Sequence, residues 1–167
     1  MAQPPEPLID EHHAALFRFA WRLTRSVSDA EDIVQECFLG LLKPGSAFDP
    51  GRTPVRTYLF GAVRNQWLKR LRRRDRDLAA DPPDRRTPES AALAGEVSDA
   101  VAAAIDALPE TQREVLLLAH YEQLSLAEIA AITEVEVTAV KSRLQRARAT
   151  LRETLAAYRP TPESAHD

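Results

Sequence analysis

Apolar residues recur three and four positions apart along several stretches of this chain. No stretch shows the β-branched alternation of a strand, so an all-α fold is expected. Ile33, Val34, Cys37, Phe38, Leu41 and Leu42 form one such stripe, in a helix expected from Asp29 to about Leu42. Ser28 followed by Glu31 has capping-box spacing at its start, and Pro44-Gly45 marks its end. A long helix is expected from Val55 to Asp75, with Thr53-Pro54 as its opening and Tyr58, Leu59, Ala62, Val63, Leu68 and Leu71 as its apolar contacts.

Further on, Ser125 and Glu128 repeat the capping-box spacing before Leu126, Ile129, Ala130 and Ile132. Thr133-Glu134-Val135-Glu136 breaks the period, and a second helix from about Val137 aligns Val137, Val140, Leu144, Ala147 and Leu151. Two short helical patterns joined by a turn predict a helix-turn-helix. Between the early and late helices, Pro82, Pro83 and Pro88 lie among alternating charges, where an irregular linker is expected. Thr87-Pro88-Glu89 reads as a helix start leading into an Ala-rich segment that runs to Leu108. The expected organisation is two small helical domains joined by a flexible linker: residues 1–76, a linker over 77–87, and a helix-turn-helix domain over 88–158. The tail at 159–167 is expected to be disordered.

The net charge of −3 hides a segregation of signs. Lys141, Arg143, Arg146, Arg148 and Arg152 follow the turn without an acidic residue among them until Glu153, as in a DNA-facing second helix. Arg56, Arg64, Lys69, Arg70, Arg72, Arg73, Arg74 and Arg76 crowd the long helix, with Trp67 among them, a pattern that suits phosphate pairing and base stacking. A core role for Trp67 and Tyr58 is the alternative. Asp29, Asp32, Gln35 and Glu36 lie outside the apolar stripe of the preceding helix, and Leu39 extends their surface. Such a face repels DNA and suits a basic or mixed protein partner, or it merely solubilises the helix.

Several classes are excluded. One cysteine, Cys37, permits no intrachain disulfide, and its place on an apolar stripe predicts a buried thiol. The four histidines form no ligand constellation, so no metal is expected. There is no Gly-rich phosphate loop or nucleophile elbow, so neither an enzyme nor a cofactor is expected. No apolar run reaches membrane-spanning length and no signal peptide is evident, which predicts a cytoplasmic protein without membrane insertion.

Three motifs carry a family resemblance: DAEDIVQECFLGLL at Asp29 to Leu42, FDPGRTPVRTYLFGAVRNQWLKRLRRR at Phe48 to Arg74, and LPETQREVLLLAHYEQLSLAEIA followed by AVKSRLQRARATLR. In this order they resemble a bacterial RNA polymerase sigma factor of the small two-domain, extracytoplasmic-function group, over about Leu8 to Tyr158. The resemblance implies binding to core RNA polymerase and promoter-specific initiation of transcription, as a monomer when bound to polymerase. It implies that Asp32, Gln35, Glu36 and Leu39 grip the polymerase. Phe48, Asp49 and Arg52 would capture a flipped base during promoter melting, and Arg56, Arg64, Asn65, Lys69, Arg72 and Arg73 would face the minus-10 element. Lys141, Ser142, Arg143 and Arg146, together with Glu136, Thr138 and Arg148, would face the minus-35 element. An anti-sigma factor is a further implied partner.

The chain departs from the family pattern at a few positions. Glu134 stands where a glycine is usual in the turn, Glu136 where a small hydroxyl cap is usual, and Thr138-Ala139 where Gly-Thr is common. Lys69 replaces a frequent Asp, and Trp67 a smaller residue. Two alternatives remain at this level: a stand-alone helix-turn-helix regulator, which has no need of an acidic docking helix, and a sigma-like decoy that has lost promoter recognition.

Overall fold

The computed structural model describes residues 5–77 and 95–159, and the described residues form helices without any strand. In chain order these are α1 (Pro5–Thr24), α2 (Val27–Leu42), α3 (Val55–Arg76), α4 (Glu96–Asp106), α5 (Glu110–His120), α6 (Leu126–Thr133) and α7 (Val137–Thr154), closed by a 3-10 turn at Ala156–Tyr158. The greater part of the expected linker, the Thr87-Pro88-Glu89 helix start and the tail beyond Arg159 lie outside the described residues.

The first three helices pack on one another around Leu16, Phe19, Ile33, Val34, Leu59, Phe60 and Val63, all essentially buried. Phe19 meets Phe60 edge-on at 5.4 Å between centroids, a geometry worth about 1 kcal/mol beyond simple burial. Helix α1 has its own signal in Leu16, Phe19, Ala20 and Leu23, spaced three and four apart along one buried stripe.

Helix α2 starts earlier than its capping-box spacing suggests. Arg25, at φ 56°, ends α1 in a left-handed conformation. Ser26, not Ser28, is therefore the first extended residue, and its hydroxyl accepts the Asp29 amide. The far end of the expected stripe is also corrected: Leu41 is buried, but Leu42 is 46% exposed. Helix α3 opens after Pro54 with no side-chain cap, so Thr53 does not serve as one; its amide instead donates to the Asp49 carbonyl in the preceding turn.

In the second half, α5, α6 and α7 enclose Val115, Leu117, Leu118, Ile129, Ile132, Val140, Leu144 and Ala147. The capping box is complete: the Ser125 hydroxyl accepts the Glu128 amide, and the Glu128 carboxylate accepts the Ser125 amide at 2.7 Å. The turn between α6 and α7 closes on Glu134 at φ 57°, ψ 40°, a left-handed position without a glycine. The two halves touch, with α6 lying along α3 and α5 against α1.

Candidate nucleic-acid interface

Asp32, Gln35, Glu36 and Leu39 recur at i, i+3, i+4 and i+7 on α2, and all four are exposed. Leu39 is 62% exposed, the most open large apolar side chain among the described residues. A solvent-facing leucine flanked by carboxylates has the mixed character of a protein-docking strip. The basic helix trims this face on one side: Arg70 and Arg74 pair with Asp29 at 3.1 and 2.8 Å, and Arg70 reaches Glu36 at 3.6 Å. Cys37 is buried beneath the strip, and desolvation pushes its thiol up to about 12, which keeps it protonated and inert.

Phe48, Asp49 and Arg52 share the loop between α2 and α3. Asp49 organises it, with its carboxylate accepting the Gly51 amide at 2.9 Å and its carbonyl accepting the Arg52 and Thr53 amides. Arg52 is exposed, while Phe48 is half-buried against Tyr58 at 5.0 Å between ring centroids.

The candidate residues on α3 separate into two groups. Asn65, Lys69, Arg72 and Arg73 are exposed along one face. Arg56 and Arg64 instead turn toward the second half. The Arg56 guanidinium donates to the Glu122 carbonyl at 2.9 Å, and Arg64 makes a two-pronged pair with Glu114, Nε to Oε2 at 2.7 Å and NH2 to Oε1 at 3.3 Å. Trp67 does not stand among the exposed cations as a stacking platform. It is 2% exposed within the core, with Arg113 over its ring, because its helical position falls on the Leu59–Val63 stripe.

On α7, Thr138, Lys141, Ser142, Arg146 and Arg148 are exposed, and Glu136 is the exposed residue that precedes the first turn. Arg143 is largely covered, with its guanidinium 3.8 Å from the Glu114 carboxylate.

Glu114 and Glu122 were not among the candidates, although both are nearly fully buried. The sequence did carry a signal for Glu114. It lies three and four positions before Leu117 and Leu118, on a stripe where a charged residue requires a partner. Glu122 is held less well. Burial pushes its carboxyl above the ordinary range, against the opposing pull of Arg18, Arg22 and Arg56. Arg18 approaches it at 3.5 Å, while its other carboxylate oxygen has no hydrogen-bond partner. Burial likewise holds the Arg22 guanidinium below its ordinary value, beside Tyr121, whose ring it covers at 4.0 Å.

Together, the fold and the distribution of charge define an all-helical protein with a helix-turn-helix in its second half, exposed cations on α3 and α7 and an acidic strip on α2. Residues 8–77 match the family described as Sigma-70 region 2, and residues 98–151 match Sigma-70, region 4. The chain is 34% identical over 154 residues to the ECF RNA polymerase sigma factor SigL of Mycobacterium tuberculosis, covering 89% of this chain and 86% of that protein. It is 29% identical over 163 residues to SigW of Bacillus subtilis, covering 89% of this chain and 87% of that protein.

Two solved structures are similar over nearly the whole chain. The sigma factor RpoE of Bartonella quintana, in complex with the anti-sigma factor NepR, aligns with a TM-score of 0.73 at 26% identity, covering 92% of this chain and 98% of that one. CnrH, in complex with the cytosolic domain of CnrY, aligns with a TM-score of 0.71 at 30% identity, covering 92% of this chain and 88% of that one. The chain belongs to the extracytoplasmic-function RNA polymerase sigma factors. This favours the resemblance over the stand-alone regulator that the helix-turn-helix by itself allowed. Among the described residues, no helix is long and apolar enough to cross a membrane.

Proposed function

We propose that this sigma factor docks on core RNA polymerase through the Asp32, Gln35, Glu36 and Leu39 strip and directs the enzyme to promoters. In this reading residues 1–76 bind polymerase, melt the duplex and read the minus-10 element, while residues 88–158 read the minus-35 element. Phe48, Asp49 and Arg52 trap an unstacked base, which shifts the duplex toward its open state. Arg56, Arg64, Asn65, Lys69, Arg72 and Arg73 hold the minus-10 region. Lys141, Ser142, Arg143, Arg146 and Arg148 supply phosphate and base contacts from α7, with Glu136 and Thr138 at the groove end. The chain performs no catalysis itself and acts in the cytoplasm.

The observation that carries this reading is that an exposed carboxylate and leucine strip on α2, bordered by Arg70, stands apart from the exposed cations Lys69, Arg72 and Arg73 of α3 and Lys141, Arg146 and Arg148 of α7. A negative surface repels a nucleic-acid face and suits a protein partner. Two weak DNA-reading units also gain effective concentration once both sit on one enzyme, so neither has to bind promoters tightly alone. An anti-sigma factor is a further partner, and the complex of RpoE with the anti-sigma factor NepR supports it. Run-off transcription with purified core polymerase over a genomic promoter library tests the whole assignment. The expected result is discrete transcripts that depend on this chain, and a chain that joins the enzyme without starting any transcript overturns it.

A further inference from the structure

Cations from both candidate DNA-reading helices converge on one buried carboxylate. Glu114 on α5, 2% exposed, receives the two-pronged pair from Arg64 of α3 and lies 3.8 Å from Arg143 of α7. A carboxylate flanked by two guanidinium groups offers them what a phosphate would: negative charge and acceptor oxygens in a fork geometry. Further contacts tie the halves together around it. Arg25 pairs with Asp106 at 2.9 Å, Arg56 donates to the Glu122 carbonyl, and Arg22 covers the Tyr121 ring. Helix α6 lies along α3, so this part of the α3 surface faces protein.

The seam is nevertheless imperfectly satisfied. Six buried side-chain atoms among the described residues have no hydrogen-bond partner, and four of them belong to residues that reach across: Arg22, Arg25, Arg113 and Glu122. Ion pairs and hydrogen bonds tie the halves across this seam, and each of these groups can take water in place of its partner when the halves part.

We propose that Glu114 is an internal stand-in for promoter phosphate, which holds Arg64 and Arg143 together and makes the free chain self-occluded toward DNA. Asp106 with Arg25 is an auxiliary tie of the same closed form. Duplex binding then requires the halves to part, and the affinity of the free chain is reduced by the fraction that is open. This rests on the proposed DNA-reading roles of Arg64 and Arg143.

The test uses the full chain without polymerase, measuring promoter-duplex affinity by fluorescence anisotropy and radius of gyration by small-angle scattering. Glu114→Gln keeps the shape and removes the charge, and its duplex affinity is expected to rise about ten-fold with an increase in radius of gyration. Asp106→Asn breaks only the outer tie, at a partly exposed site outside the DNA-contacting set, and is expected to move both readouts the same way by a smaller factor. It also serves if Glu114→Gln loses helical content. Glu153→Gln removes an exposed charge at the end of α7 and is expected to change neither. Unchanged affinity in both seam variants overturns the proposal, as does expansion without tighter binding, or an equal gain in Glu153→Gln. Run-off transcription by the wild-type chain, measured in parallel, separates this result from failure of the sigma-factor assignment.

Discussion

Glutamates and aspartates occupy two contrasting settings in this molecule. Those on α2, Asp32 and Glu36, lie at the surface beside an exposed Leu39, where even the ion pair of Glu36 with Arg70 carries little folding energy. Those at the seam, Glu114 and Glu122, are almost completely buried, so each must find cations or oppose the packing that covers it. The same functional group is therefore available to a partner in the first setting and committed within the chain in the second. Charge alone does not distinguish them: Asp32, Glu36 and Glu114 all lie on amphipathic helices and Glu122 in the turn after one, with Arg residues elsewhere in the chain.

Reversing the exposed set is the most severe way to challenge this contrast. Asp32→Arg with Glu36→Arg is expected to weaken association with core polymerase by at least about 100-fold, because like charges then meet across the docking surface. Far-UV circular dichroism should remain unchanged, since neither residue packs in the core. Normal co-purification of the double variant with polymerase sinks the docking assignment.

A third setting gives a smaller effect. Glu134 is neither a docking group nor a seam group; its backbone is held left-handed at φ 57°, where a side chain is strained. Glu134→Gly is expected to raise stability by about 1 kcal/mol, read as a higher thermal midpoint, because glycine is the residue that fits this helix end without steric cost. A lowered midpoint shows that the side chain holds the turn in some other way.

The smallest effect concerns Glu122. Burial raises its carboxyl above its ordinary value of 4.5, so the folded chain binds its proton more tightly than the unfolded chain does. Its contribution is most favourable below that value and is lost as pH rises through the raised folded one. Glu122→Gln mimics the protonated form, and at neutral pH it is expected to unfold at the same temperature as wild type or a few degrees higher. The variant should also lack the fraction of the pH dependence that this group supplies in the wild type. A clear drop in midpoint at neutral pH shows instead that Arg18, Arg22 and Arg56 more than compensate its burial. Glu114, paired with Arg64 through two bonds, provides the contrast within the seam.

Much of the architecture was legible from residue spacing. The stripes on α2, α3, α6 and α7 predicted helices at nearly their observed bounds, and the Ser125–Glu128 capping box is a local feature. Local interactions over three or four residues are sufficient to specify such elements. The cap at Ser26 was misplaced because it depends on where α1 ends, and α1 ends at Arg25 by a backbone conformation that side-chain spacing does not report.

The sequence by itself determined helices α2, α3, α6 and α7, their order and the segregation of opposite charges, because periodicity and capping act between near neighbours. Tertiary structure alone decided which charges are free. Trp67 looked like a stacking residue until the core enclosed it, and Arg56, Arg64 and Arg143 looked alike until Glu122 and Glu114 approached from a distant helix and its following turn. A charge interacts with whatever lies within a few ångströms, and for Arg64 that neighbour is 50 residues away along the chain.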